Sequence, residues 1–299
     1  MPSRSQSAIT TYRALRMGVV AAALLLMSSL VLEIVRTGGL ALTSISASFY
    51  TPVRNVFVGV LVATGMALIA IMGREKYEDG ALNLAGMLAP TIGMLPTTVG
   101  PSAPGACRGG VAKCIPISVL TDVENNVSAL LILGLVGLVG ALVYVVRTYG
   151  WGSAQLRRIV PPALLWLVSS ALWLFARELM FVHGHNLAAF CFFLLLAWVA
   201  RINALDPPDG PTVMGLTPRA YQRGYQIIST AMIATIVLTG IYDIAILLGW
   251  LPNPYPQWFF VAETLLLVLF IAFWILQTAH FWHDGVPDAA AGATENAEA

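Results

Sequence analysis

Eight apolar runs divide the chain, at about residues 17–36, 54–73, 81–98, 122–146, 161–181, 184–203, 222–249 and 257–280. Each has helical length, and the longer ones reach the roughly 20 residues that cross a hydrocarbon layer. Runs of this kind satisfy their backbone inside a bilayer only as helices, so the pattern predicts an all-α polytopic transmembrane bundle of about eight helices. The third run is short and broken by Pro90, with Gly86 and Gly93 nearby, and predicts a kinked helix packed inside the bundle. Local signals set the expected boundaries. Thr51-Pro52 reads as an N-cap with proline at the first helical position; Thr121-Asp122-Val123-Glu124 has the form of a capping box; Pro161-Pro162 opens the fifth helix; Pro252, Pro254 and Pro256 separate the last two. Gly134, Gly137 and Gly140 in the fourth run, and Gly59, Ala63 and Gly65 in the second, predict close helix approach.

Composition agrees with a membrane class: 58% of residues are hydrophobic and 10% charged, with a mean hydropathy of +0.79. The net charge of +1, from scattered basic residues, gives no surface for a nucleic-acid partner. The basic residues report orientation instead. With the N-terminus cytoplasmic, eleven Lys and Arg lie inside and five outside, which predicts both termini cytoplasmic. The polar segment 1–12 precedes a run long enough to span, so the first helix is expected to be a retained signal-anchor. Arginine in place of lysine and an Ala/Val-rich composition point to a bacterium, hence a multi-pass protein of the bacterial cytoplasmic membrane. The expected organisation is one transmembrane domain, 1–284, and a disordered acidic tail, 285–299. Cys107 and Cys114 share a polar loop that this orientation places outside, where they either form a disulfide or remain as two thiols. Cys191 reads as a small buried apolar residue.

The ionisable residues at membrane depth gather at the expected outer ends. Arg54 falls in the first turn of the second helix, the wrong end of its dipole for a cation, and so calls for an anionic partner. Glu263 and Asp243 each lie roughly 10 Å below a helix end, at 1.5 Å per residue. Arg54 with Glu263 is the expected pair, with Ser46, Ser48, Tyr50, Asn55, His185 and Asp243 completing a polar pocket. A buried ion pair that only fixes helix register is the alternative. His183 and His185 read either as interfacial hydrogen-bonding residues or as metal ligands. The four histidines split two and two between the ends, so no three-histidine metal centre forms on one face. Phosphate-loop, dinucleotide and nucleophile-elbow motifs do not occur, and the sequence calls for no cofactor.

The segment Ser44-Ile45-Ser46-Ala47-Ser48-Phe49-Tyr50-Thr51-Pro52-Val53-Arg54-Asn55-Val56-Phe57-Val58-Gly59 resembles the pattern S-I-S-A-Y-Y-x-T-P-x-R-x-V-F-V-G of a family of bacterial polytopic membrane proteins that offers no established reaction. Leu84-Ala85-Gly86, Leu95-Pro96-Thr97, His185 to Phe190, Tyr221 to Gly224 and Trp258 to Thr264 are similar to further segments of that family. The resemblance covers helices one to three and six to eight, and makes 122–181 an inserted helix hairpin. It implies that Arg54, His185 and Glu263 share one outer site.

Three functions follow as expectations. The first is a pocket in the outer leaflet that binds or moves a lipid head group or small anion, with membrane lipids as partners. The second is an intramembrane lipid hydrolase with Glu263 or His185 as general base. The third is an accessory subunit whose charges only hold the bundle together.

Overall fold

A computed structural model describes residues 4–40, 42–73, 76–100, 113–206, 212–251 and 257–282. Among them are eight helices: α1 (Arg4–Thr37), α2 (Arg54–Ala70), α3 (Lys76–Met94), α4 (Ile117–Tyr149), α5 (Val160–Phe175), α6 (Arg177–Asn203), α7 (Pro218–Leu247) and α8 (Trp258–His280). Two 3-10 turns join them, η1 (Ser46–Tyr50) before α2 and η2 (Ala154–Ile159) before α5. Six of the helices are long and apolar enough to cross a membrane. The exceptions are α2, apolar but 17 residues long, and α3, which opens on Lys76, Glu78 and Asp79. One isolated bridge, Val99 with Cys114, is the β pairing among the described residues.

Several boundaries differ from the sequence signals. α2 begins at Arg54, so Pro52 precedes the helix; Thr51 still serves its end, accepting the Val53 N–H on Oγ1 at 3.2 Å and the Arg54 N–H on its carbonyl at 3.1 Å. α4 begins at Ile117, directly after Pro116, which leaves Thr121 to Glu124 inside the helix rather than at its start. The apolar run had hidden that first turn, because Ile117 to Leu120 continue the helix without a cap of their own. Pro161 and Pro162 do open α5, and Thr217 caps α7 by accepting the Ala220 N–H at 3.2 Å. The prolines at 252, 254 and 256, Cys107 with its expected link to Cys114, and the tail 285–299 lie outside the described residues.

The core forms where α3 lies between α2 and α6. Leu82, Ala85, Ala89 and Leu95 of the α3 segment are fully buried, as are Leu68 of α2 and Leu196, Ala197, Val199 and Ala200 of α6. A methyl group on Gly65 would stand 2.6 Å from the Gly86 carbonyl oxygen and 2.7 Å from Cδ of Pro90, so these two helices touch backbone to backbone. Pro90 therefore packs inside the bundle, as its sequence context predicts. Gly59, by contrast, faces open space, as do Gly137 and Gly140 of α4. Only Gly134 of that stripe meets a neighbour, Trp166, whose Nε1 donates to the Leu131 carbonyl at 2.8 Å. α4 and α5 thus stand at the periphery: the most apolar window of α4 has no buried residue.

At the end of the bundle opposite η1 lies a buried polar network. Glu78 Oε1 accepts from Asn203 Nδ2 at 2.9 Å and from Gln277 Nε2 at 3.1 Å, joining α3, α6 and α8. Arg16 of α1 is buried beside it, its guanidinium 4.5 Å from the Tyr12 ring centroid and 4.9 Å from that of Phe281. The Tyr12 hydroxyl donates to the Met72 carbonyl, tying α1 to the end of α2. Ionisable groups are therefore buried at both ends of the bundle, and the expectation that nearly all of them lie at the η1 end is corrected. Glu78 precedes the apolar run that begins at Ala81, so the hydropathy pattern alone does not mark it as buried.

Gly65→Ala is expected to lower stability by about 1–3 kcal/mol through overpacking against Gly86 and Pro90, whereas Gly59→Ala leaves stability unchanged or slightly raised. Thermal melts of the two purified variants in one detergent check this, and equal losses would count against the close approach.

Candidate functional site

The site is built where the chain turns back between α1 and α2. Hydroxyl side chains compete with helical hydrogen bonding, and in the segment 43–51 they hold a tight turn: Ser44 Oγ accepts the Ala47 N–H at 2.9 Å, and Thr51 Oγ1 donates to the Ser48 carbonyl at 2.8 Å. The turn is docked on the first turns of α8. The Phe260 N–H donates to the Thr43 carbonyl at 3.0 Å. Further along that helix, Glu263 receives both donors of Ser46: the backbone N–H at 3.2 Å on Oε2 and the hydroxyl at 3.0 Å on Oε1.

Arg54 does not join it. Its Nε donates to the Phe49 carbonyl at 2.7 Å, and its guanidinium lies over the Phe49 ring, 4.5 Å from the centroid. The anticipated Arg54–Glu263 pair is therefore replaced by two separate interactions. The physical reason is local: the carbonyls at the end of η1 offer the guanidinium an acceptor five residues away, and the Phe49 face shields it. Tyr50 donates its hydroxyl to the Thr97 carbonyl at 2.6 Å, anchoring the turn to the chain after α3. Burial raises the phenol above its ordinary value by more than Arg54 lowers it, so it remains a donor.

Beside the Ser46–Glu263 contact lies a cavity of about 330 Å³. Ser46, Thr64, His185, Thr239 and Glu263 are among its polar lining residues, and Phe57, Val60, Ile92, Phe192, Leu266 and Phe270 among its apolar walls. Asp243, Gly240, Asn186 and Phe190 also line it but are exposed, which places its mouth between α6 and α7. Elsewhere the two helices close on each other, with Ser229 Oγ donating to the Ala197 carbonyl at 2.9 Å. The cavity thus opens sideways, through the apolar flank of the bundle.

His185 is 2% exposed. Its Nδ1 lies 2.7 Å from the Leu95 carbonyl oxygen, which can only accept, so Nδ1 carries the proton. That leaves the lone pair at Nε2, which is buried and has no hydrogen-bond partner. Leu95 is held at this spot because the α3 helix ends at Met94 and frees its last carbonyls.

Of the eight residues expected to share a pocket, Ser46, His185, Asp243 and Glu263 line the cavity. Ser48 is fully buried, with no partner for its hydroxyl; Tyr50 and Arg54 are half-buried; Asn55 is exposed; and none of these four reaches the cavity. His183 is exposed and stands apart from His185. Among the described residues no cluster of three or more His, Cys, Asp or Glu is placed to hold a metal ion. Sequence reading missed Thr239, which lines the cavity one turn before Asp243 on α7; a hydroxyl at i−4 to an intramembrane carboxylate is the signal that points to it. Comparison with protein-family models, curated proteins and solved structures finds no match to this chain.

The pairing is checked by double-variant cycles in thermal or denaturant stability. Ser46→Ala and Glu263→Gln are expected to couple by about 0.5–3 kcal/mol, and Arg54→Ala and Glu263→Gln to add within about 0.5 kcal/mol. Strong coupling of Arg54 to Glu263 would restore the ion pair and remove the present assignment.

Proposed function

We propose that this chain is a multi-pass protein of the bacterial cytoplasmic membrane that takes the head group of an amphiphile into its cavity from the side, in the outer leaflet. The observation that carries this reading is the cavity itself: Ser46, His185 and Glu263 line one recess whose walls are mostly apolar and whose exposed lining residues include Asn186 and Phe190 of α6 and Gly240 and Asp243 of α7. Ligand sites in general combine apolar walls with a few fixed polar groups, in volumes from about 300 Å³ upward. The mouth sets Asp243 and Asn186 beside Gly240 and Phe190 between two helices of membrane-spanning length, which suits a molecule with a polar head and a tail that stays in hydrocarbon. The motif resemblance supports a site at this end of the bundle and adds no reaction.

Ser46 also favours a second reading, an intramembrane lipid hydrolase. Its hydroxyl donates to Glu263 at 3.0 Å, the reach of a nucleophile to its base. The carboxylate would take the hydroxyl proton as the oxygen attacks an ester carbonyl and return it to the alcohol as the ester C–O bond breaks, leaving an acyl-serine that water hydrolyses. Binding is preferred because the Ser46 N–H is committed to the same carboxylate. In addition, no arginine or lysine among the described lining residues offers charge to a developing oxyanion. Fluorophosphonate labelling of Ser46 would decide for the hydrolase, and its absence for binding.

Gly240 provides the test of cavity occupancy, because a side chain there enters open space at the mouth. Long-chain amphiphiles with a photoreactive tail and an amine, alcohol or phosphate head are offered to the protein in lipid nanodiscs. At least one head group is expected to direct saturable labelling to α6 and α7, and Gly240→Trp to abolish it while the melt is retained. Labelling that never saturates, or that is the same in wild type and Gly240→Trp for every head group, would end the proposal.

A further inference from the structure

The charged groups of the cavity are of one sign, although the hydroxyls of Thr64 and Thr239 and the Asn186 amide also line it. Glu263 contributes a carboxylate that accepts only from uncharged donors, the Ser46 N–H and hydroxyl and the Ile45 backbone. His185 contributes the unpartnered Nε2 lone pair, on a side chain that is 2% exposed. Asp243 adds a second carboxylate at the rim. No arginine or lysine is among the described lining residues, and Arg54 is turned onto Phe49 instead. The cavity thus places carboxylates with no cation facing them beside a histidine whose Nε2 is buried without a donor, an arrangement that is costly until a donor reaches it.

We propose that the amphiphile admitted to this cavity is a long-chain primary amine, bound as its ammonium ion. The inference rests on the amphiphile-binding reading above and names the head group for it. A primary ammonium carries three N–H donors, enough to reach both the Glu263 carboxylate and the His185 Nε2. Its positive charge answers the carboxylate that Arg54 leaves without a cation. A trimethylammonium head has the charge but no N–H for His185. An alcohol has a donor but no charge for Glu263. A phosphate or carboxylate head places negative charge beside Glu263 and Asp243, and lone pairs beside Nε2. This reverses the sign of the ligand expected from the sequence, where Arg54 pointed to an anion. At about 330 Å³ the cavity takes the head and the start of the chain, and the remaining methylenes pass out between α6 and α7.

The experiment measures binding of four amphiphiles of equal chain length, with primary amine, trimethylammonium, alcohol and phosphate heads, to the full chain in phosphatidylcholine nanodiscs. Competition for saturable photolabelling gives the affinities. The amine is expected to bind at least about tenfold more tightly than each of the other three, the scale of one charge-assisted hydrogen bond. Glu263→Gln keeps an acceptor for Ser46 and is expected to lower amine affinity by about tenfold while leaving the alcohol within about twofold. Asp243→Asn, at an exposed position that burdens folding little, is expected to weaken the amine by about twofold or more, the trimethylammonium amphiphile in the same direction, and the alcohol not at all. Equal or tighter binding of the phosphate or trimethylammonium amphiphile overturns the amine assignment and leaves the amphiphile-binding reading standing. Unchanged amine affinity in both Glu263→Gln and Asp243→Asn overturns it as well. No saturable binding of any of the four overturns both.

Discussion

The contact between Ser46 and Glu263 decides the geometry of everything near it. It is made across 217 positions of sequence, between a short 3-10 turn and the first turns of the last helix. Both donors of one serine are spent on one carboxyl group, so the turn can neither slide along α8 nor rotate on it without breaking both hydrogen bonds together. Because the turn is fixed, Tyr50 reaches Thr97, Arg54 folds back onto Phe49, and the space between the turn and α6 stays open.

The two ends of the bundle handle buried charge in different ways. At one end Glu78 is surrounded by the amides of Asn203 and Gln277, with Arg16 stacked on aromatic rings nearby, and four helices are drawn together. At the other, Glu263 is held from one side only, and the facing side is cavity. The same elements, α6 and α8, carry groups at both ends. Between the two ends the α2–α3–α6 core holds the helices together, so the recess at one end leaves the packing of the rest intact.

Helix number and class were legible because an apolar run of helical length has few alternatives. Most ends fall within about five residues of the runs, but α1 starts at Arg4 rather than 17, and the break between α5 and α6 falls at Ala176 rather than near 182, because polar residues continue a helix that the apolar pattern does not show. Pro90 and Gly86 were also readable as signs of a helix packed inside. The glycine stripe of α4 misled because small residues permit close approach without requiring it, and Gly137 and Gly140 face outward. At the site, depth and residue type picked out His185, Asp243 and Glu263, and the turn sequence picked out Ser46. What they did not supply was direction. Arg54 was matched to Glu263 by charge, yet a guanidinium with a carbonyl and a ring five residues away satisfies itself locally, and side-chain direction is set by packing that no spacing rule encodes. Asn203 and Gln277 escaped notice because attention to ionisable groups passes over neutral amides, although an amide in an apolar run needs a partner just as much.

The most direct test is an electron cryomicroscopy map of the full chain in lipid nanodiscs, resolved to side chains around the start of α8. The account predicts the Glu263 carboxylate within hydrogen-bonding distance of both Ser46 N and Ser46 Oγ, with Arg54 over Phe49 and the recess between α6 and α7 open beside it. A Glu263 carboxylate paired with Arg54, with Ser46 turned elsewhere, would contradict it.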